Sequence, residues 1–145
     1  MDDQFSTKIP WWFWLVTIVA LLWNLMGVGA FIADMTITDE AIQALPKAQQ
    51  ELYLNNPIWV KAAYGIAVIG GALGCILLIF RVKTAKLVFI ISLIAILIQM
   101  GYNFLIASSL EVYGPGAYLM PIMIIVIAVY LIIFSGKSIK KGWLK

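Results

Sequence analysis

Four long apolar runs, each almost free of charge, constrain this chain more than any other feature of its sequence. Each is close to the roughly 20 residues that a helix needs to cross a hydrocarbon core about 30 Å thick. A helix is required because a lone strand in lipid leaves its backbone donors and acceptors without partners. The runs are 11–33, 58–80, 87–110 and 117–134. The sequence therefore predicts an all-α polytopic membrane protein, a single transmembrane domain built as a four-helix bundle.

Composition excludes several other classes of protein. The 145 residues are 63% hydrophobic and 12% charged, whereas soluble domains are roughly half apolar and about a quarter charged. The formal net charge is +3, but the basic residues flank the apolar runs, which is typical of membrane anchoring rather than nucleic-acid binding. We therefore expect the lipid bilayer as the main partner and no nucleic acid.

The reactive side chains are equally few. The chain has no histidine, and Cys75 is its only cysteine. A Cys/His metal cluster therefore lacks ligands, and neither a general base nor a Ser-Lys or Cys-based nucleophile group is evident. We predict that the protein is not an enzyme, with no catalytic residues, no metal and no cofactor.

Charge asymmetry predicts the orientation of the bundle, because short loops rich in Lys and Arg stay in the cytoplasm. The connection 81–86 and the tail 135–145 carry only basic charges, whereas the loop 34–57 carries most of the acidic ones. We predict that 81–86 is a cytoplasmic loop, that 34–57 is the outer loop and that both termini are cytoplasmic.

The outer loop 34–57 contains the pattern of a short amphipathic helical segment. Thr38 precedes Asp39 and Glu40, which suits a capping hydroxyl followed by acids at the positive end of a helix dipole. Pro46 is expected to divide the segment into two pieces. We interpret it as a cap over the outer end of the bundle in preference to a ligand lid.

Polar residues within or near the ends of the spans are the candidate ligand-binding groups, since such residues are costly in lipid. Lys61 is expected to snorkel outward or to pair with Asp34 or Glu111. The whole set is predicted to line a cavity in the outer half of the bundle, open to the non-cytoplasmic side. It comprises Asn24, Asp34, Lys61, Tyr64, Gln99, Tyr102, Asn103 and Glu111.

Two interpretations of this set remain open. Amides that bond across helices contribute about 0.6 kcal/mol on average in membrane bundles and commonly hold helices together. In the functional interpretation Lys61 contacts an anion or a hydroxyl, and the neutral amides of Asn24, Gln99 and Asn103 suit a sugar or another polyol. The structural interpretation has the larger weight.

Several stretches resemble a family of uncharacterised small bacterial membrane proteins that is catalogued under the label of sugar transporter. They are LWNLMG at 22–27, LPKAQQELY at 45–53, GALGC at 71–75, QMGYNF at 99–104, VYGP at 112–115 and PIM at 121–123. The resemblance implies four spans, a place in the bacterial inner membrane and sugar transport as the activity. It names no binding residues.

The leading hypothesis is therefore an inner-membrane protein that binds or transports a small polar solute, with a sugar as one candidate. A single four-helix bundle has little room for an aqueous path, so transport is expected to use a homo-oligomer. The alternative is a non-transporting accessory or structural protein that binds a membrane partner within a larger complex.

Overall fold

The computed structural model describes residues 8–107 and 109–145, apart from the side chains of residues 110 and 115. Within these residues the regular structure is helical, and four helices are long and apolar enough to cross a membrane. They are α1 (Trp11–Met35), α4 (Ile58–Ile79), α5 (Ala85–Gly101) with the turn that extends it, and α7 (Leu119–Lys140). The predicted all-α, four-span fold is confirmed, and the chain is an integral membrane protein.

Three short helices lie in the connections between the long ones. α2 (Asp39–Gln43) and α3 (Lys47–Leu54) follow α1, and α6 (Ser109–Tyr113) precedes α7. The Thr38 Oγ1 accepts a hydrogen bond from the Ala41 backbone N–H at 3.1 Å, and Pro46 separates α2 from α3. The predicted helical segment of the first connection is therefore present in two pieces.

The third span differs from the uniform helix predicted over 87–110. α5 begins at Ala85 and passes into a π-helical turn at Tyr102–Ile106, where the Ala107 N–H donates to the Tyr102 carbonyl at 2.9 Å. A π-helical turn keeps the helical path but changes the hydrogen-bond register. Hydropathy continues through this segment without a break, so it carries no signal of the change.

The fourth long helix also extends beyond its predicted end at residue 134. α7 continues to Lys140, because Ser135 and Ser138 remain helical and donate their hydroxyls to the carbonyls of Leu131 and Phe134 at 2.7 and 2.8 Å. These bonds satisfy the hydroxyls within the helix. The apolar run therefore ends before the helix does.

The long helices pack in the spatial order α1, α4, α5, α7. α4 is central, and its glycines allow close approach on both sides, with Gly65 against Phe31 of α1 and Gly74 against Phe89 of α5. Small residues replace the hydrophobic driving force that is absent between helices in lipid. The interior of this bundle is built around α4, and α1 and α7 form its two edges.

We call the two ends of the bundle the basic end, where Arg81, Lys83 and Lys140 lie, and the acidic end, where Asp39 and Glu51 lie. The halves of the spans next to them are the basic half and the acidic half. Side chains of all four long helices join one buried cluster in the basic half, which includes Phe13, Leu78, Phe89, Phe134 and Trp143. This cluster joins the four helices close to the basic end.

Backbone and side-chain bonds fix the last residues against the basic end. The Lys145 N–H donates to the Arg81 carbonyl at 2.7 Å, and the Lys83 N–H donates to the Lys145 carbonyl at 3.0 Å. The Arg81 Nε–H donates to the Trp143 carbonyl at 2.8 Å. These contacts hold Trp143 in the aromatic cluster between α1 and α7.

Candidate functional site

A cavity of about 300 Å³ lies between the four spans in the acidic half of the bundle. All four long helices contribute to its wall, which is mainly apolar and includes Trp23, Met100 and Met120. Three polar side chains interrupt this wall, each from a different helix: Asn24 of α1, Tyr64 of α4 and Gln99 of α5. The arrangement suits a ligand with an apolar body and a few hydrogen-bonding groups.

Asn24 is held in place by its own helix and by α4. Its Nδ2 donates to the Ala20 carbonyl at 2.8 Å and to the Cys75 Sγ at 3.6 Å. Its Oδ1 lies directly over Gly71, and a Cβ at that position would collide with it. Both amide protons are therefore used by the bundle, and the oxygen is left as the acceptor that Asn24 offers.

Gln99 is the polar group of the cavity with the largest number of hydrogen-bond donors and acceptors that no described residue uses. Its side chain is half-buried in the wall, and among the described residues no hydrogen bond satisfies its amide. A primary amide offers two donors and an acceptor, and leaving them unpaired away from water is costly. A polar group of a ligand would recover that cost.

Tyr64 connects the cavity with the acidic end. Its ring packs edge-on against Phe31 with the ring centroids 5.1 Å apart, and it lies close enough to Asp34 to feel the charge of that carboxylate. Asp34 follows Ala30, the last cavity residue of α1, by one helical turn. The cavity therefore ends one turn below a polar cluster.

That cluster is formed by Asp34, Tyr53 and Tyr113. The Tyr53 hydroxyl donates to the Asp34 Oδ1 at 3.2 Å. Burial, followed by the charge of Asp34 and the hydrogen bond to it, raises the pKa of Tyr53 to about 12. Burial and the same charge raise the pKa of Tyr113. Both phenols stay protonated near neutral pH, and Tyr53 acts as a hydrogen-bond donor that joins α3 to α1.

The predicted site residues divide into two groups. Asn24, Tyr64 and Gln99 meet at the cavity, whereas the other five lie outside its wall. Asp34 bonds to Tyr53 and not to Lys61, so the expected ion pair is absent from the described part of the chain. Lys61 is half-buried near the acidic end of α4. Three of the eight predicted residues therefore share this cavity, and a ligand-binding role for the set stays a prediction.

The remaining residues of that set lie nearer the acidic end. The Tyr102 hydroxyl donates to the Asn55 carbonyl at 3.3 Å, and its ring packs edge-on against Trp59. Asn103 is half-buried one turn beyond Gln99, which places it about 6 Å further along the helix. Glu111 is exposed in α6. These residues belong to the rim of the bundle.

Sequence reasoning missed most of the apolar wall, although one signal was present. Aromatic belts place tryptophan near the ends of spans, but Trp23 lies in the middle of α1 beside Asn24. A tryptophan at that depth is out of place as an anchor, and in the structure it lines the cavity. The methionines Met26, Met100 and Met120 carried no comparable signal.

Within the described residues, no group of three or more His, Cys, Asp or Glu side chains is placed to hold a metal ion. The fold and the cavity define a four-helix integral membrane protein with an internal, mainly apolar site. Comparison of the chain with family models, with curated proteins and with solved structures found no match.

Proposed function

We propose that the protein binds a small uncharged molecule in the four-span cavity, and that it does so in the bacterial inner membrane with both termini in the cytoplasm. The observation that carries the proposal is the convergence of Asn24, Tyr64 and Gln99 from three helices on one cavity. Its volume of about 300 Å³ is at the lower end of the range of roughly 300–1,000 Å³ for ligand sites.

The uncharged character of the ligand follows from what lines the cavity. Lys61 and Glu111 lie outside its wall, and the polar groups in it are amides and a phenol. An unpaired charge inside a membrane bundle is expensive, whereas neutral hydrogen-bonding groups match the amides. A neutral ligand therefore fits the wall better than an anion or a cation.

Membership of the small bacterial family that the sequence resembles is part of this proposal, and it makes monosaccharides and polyols the first probes. A more extensive version of the proposal is that the protein also transports the bound molecule across the membrane. The aromatic cluster of the basic half blocks a path through one chain, so transport requires either a rearrangement of that half or a homo-oligomer. Binding alone requires neither.

The experiment is a thermal-unfolding titration of the purified full chain in detergent against a panel of monosaccharides, polyols and neutral amphiphiles. A ligand that binds only the folded state raises the apparent unfolding temperature. Gln99→Leu removes the unpaired amide and is expected to weaken binding about tenfold, equivalent to roughly 1.4 kcal/mol.

Lys61→Met is the matched control, because Lys61 lies in the same half of the bundle but outside the cavity wall. We expect it to leave binding unchanged. The proposal is contradicted if no probe stabilises the protein, or if Lys61→Met abolishes binding while Gln99→Leu does not.

A structural role is the second candidate, and one set of bonds favours it. The Ser92 hydroxyl donates to the Ala67 carbonyl across α5 and α4 at 2.6 Å, and the Asn24 Nδ2 donates to the Cys75 Sγ across α1 and α4 at 3.6 Å. Such bonds hold a bundle together without a ligand. Under this alternative the protein copurifies with a membrane partner, and Gln99→Leu raises its stability without affecting any probe.

A further inference from the structure

The mouth of the cavity is on the side of the bundle, between the edge helices α1 and α7. Met26 of α1 and Met120 of α7 line the cavity and are also 69% and 56% exposed. Ala67 and Met100, which line it from α4 and α5, are only 4% and 8% exposed and form its floor. Met26 lies within α1 and Met120 near the acidic end of α7, and both helices are long and apolar enough to cross a membrane, so the mouth is on the lateral surface that lipid surrounds.

A second, apolar groove continues from this mouth toward the basic half. It encloses about 400 Å³ between α1 and α7, and its wall includes Leu15, Val19, Ile127 and Leu131. Trp23 lines both spaces. From Leu15 to Ala30 the two together follow α1 for roughly 22 Å at 1.5 Å per residue, which is the length of an extended hydrocarbon chain and not that of a sugar.

At the acidic end, the segment that contains α3 is bonded to two of the helices that line the cavity. Tyr53 bonds this segment to Asp34 at the end of α1. Two residues further along, the Asn55 carbonyl accepts a hydrogen bond from the Tyr102 hydroxyl, which belongs to the π-helical turn that extends α5. The segment is thus tied to the helices on both sides of α4. Entry from the side has no comparable obstruction.

We propose that the ligand is an uncharged single-chain amphiphile that enters from the bilayer between α1 and α7. Its polar head forms hydrogen bonds with the Gln99 amide and the Asn24 oxygen at the cavity, and its hydrocarbon tail lies in the adjoining groove. The polarity of the two spaces matches the two parts of such a molecule. This inference rests on the proposed function and specifies the chemical class of its ligand.

The test uses a monoacylglycerol as the probe, with the full chain in lipid nanodiscs and thermal unfolding as the readout. Val19→Trp fills the groove with a larger side chain at an exposed position, so the fold has room for it. It is expected to weaken monoacylglycerol binding at least tenfold. Gln99→Leu is expected to weaken it about tenfold through the head group.

Ile18→Trp is the matched control, because Ile18 is an exposed neighbour on α1 that lies outside the groove wall. We expect it to bind the probe like the unaltered protein. Equal losses for Val19→Trp and Ile18→Trp, or no loss for either, overturn the inference.

Free monosaccharide, tested in parallel, separates this inference from the proposed function. If the sugar binds in a Gln99-dependent way and the monoacylglycerol does not bind, the cavity is a ligand site but the inference of an amphiphilic ligand is wrong. If neither binds, both are wrong. If Val19→Trp instead converts a dimer to a monomer in size-exclusion chromatography, a second copy of the chain occupies the groove and the inference is also wrong.

Discussion

The two halves of this bundle are built from similar apolar helices but are packed very differently. In the basic half, Phe13 stacks on Phe134 with ring centroids 5.5 Å apart, and Trp143 packs edge-on against Phe13 at 5.8 Å. In the acidic half, α1 and α7 instead border a cavity whose mouth is formed by Met26 and Met120. Large rigid rings join α1 and α7 near the basic end, whereas flexible side chains border the cavity in the acidic half.

This difference shows that hydropathy and packing are separate properties of a membrane helix. α1 is apolar over most of its length, yet it contributes buried anchors near its start and cavity-lining residues from Trp23 onward. In lipid, apolar surface has no need to be buried, so a helix pair can separate without the penalty that water would impose. An internal site can therefore form where the packing residues stop.

The largest expected effect comes from removing an anchor of the basic half. Phe13→Ala deletes a fully buried ring from the aromatic cluster, and we expect a loss of about 3 kcal/mol in the free energy of unfolding. Titration with a denaturing detergent in bicelles measures this. Met26→Ala, at the mouth in the acidic half, is the comparison and should cost less than about 1 kcal/mol. Equal losses would mean that the two halves are equally packed.

The next effect concerns the close approach of α4 and α5. A Cβ at Gly74 would lie 2.5 Å from the Phe89 ring, and overpacking of this kind costs roughly 1–3 kcal/mol. We expect Gly74→Ala to destabilise the bundle by about 2 kcal/mol in the same assay. Gly29→Ala is the control, because nothing lies within 4 Å of the added methyl group and alanine is the better helix former. If Gly74→Ala left the free energy of unfolding unchanged, the close packing of α4 against α5 would be contradicted.

A smaller effect is expected where a hydrogen bond joins two helices. Ser92→Ala removes the bond from the Ser92 hydroxyl to the Ala67 carbonyl, and bonds of this kind contribute about 0.6 kcal/mol on average. Ser138→Ala is the control, since that hydroxyl bonds within its own helix and should cost less. A loss above about 2 kcal/mol would exceed the largest values known for such bonds.

The last effect is a pH dependence at the acidic end, where Tyr53 bonds to Asp34. The pKa of Tyr53 is raised to about 12 from an ordinary value of 10, so the docking of α3 is fully present below pH 10 and is lost between about pH 10 and 12. Titration of phenolate absorbance, with Tyr53→Phe to identify the signal, measures the pKa.

Asp34→Asn should lower the pKa of Tyr53 without restoring its ordinary value, because burial is the larger cause of the shift. If the substitution left the pKa unchanged, the contact between Tyr53 and Asp34 would be wrong.

Much of the fold and a part of the site could be predicted from the sequence. Four spans followed from hydropathy because lipid forces apolar runs of this length to be helical, and the helix start after Thr38 followed from capping chemistry. Asn24 and Gln99 stood out because amides are rare in spans. The division between the halves could not be predicted, since it depends on which helices meet and not on how apolar each one is.

The partner of Asp34 illustrates the same limit. The sequence places Lys61 near the outer end of its span and Asp34 at the end of another, and their opposite charges made Asp34 one candidate partner. The structure gives that position to Tyr53, which comes from a segment whose direction only the folded chain fixes. The π-helical turn at Tyr102–Ile106 was likewise invisible, because apolar composition does not distinguish one helical hydrogen-bond register from another.

The most direct test of this account is the distance between α1 and α7 in each half, measured between spin labels in lipid nanodiscs. The acidic-half pair is Met26→Cys with Met120→Cys, the basic-half pair is Trp11→Cys with Ile133→Cys, and Cys75→Ser removes the native thiol in both. Trp11 and Ile133 are exposed and lie outside the groove wall. We predict a longer and broader distance distribution in the acidic half, which narrows when monoacylglycerol is added. The same narrow distance in both halves would contradict the open edge on which the proposed site depends.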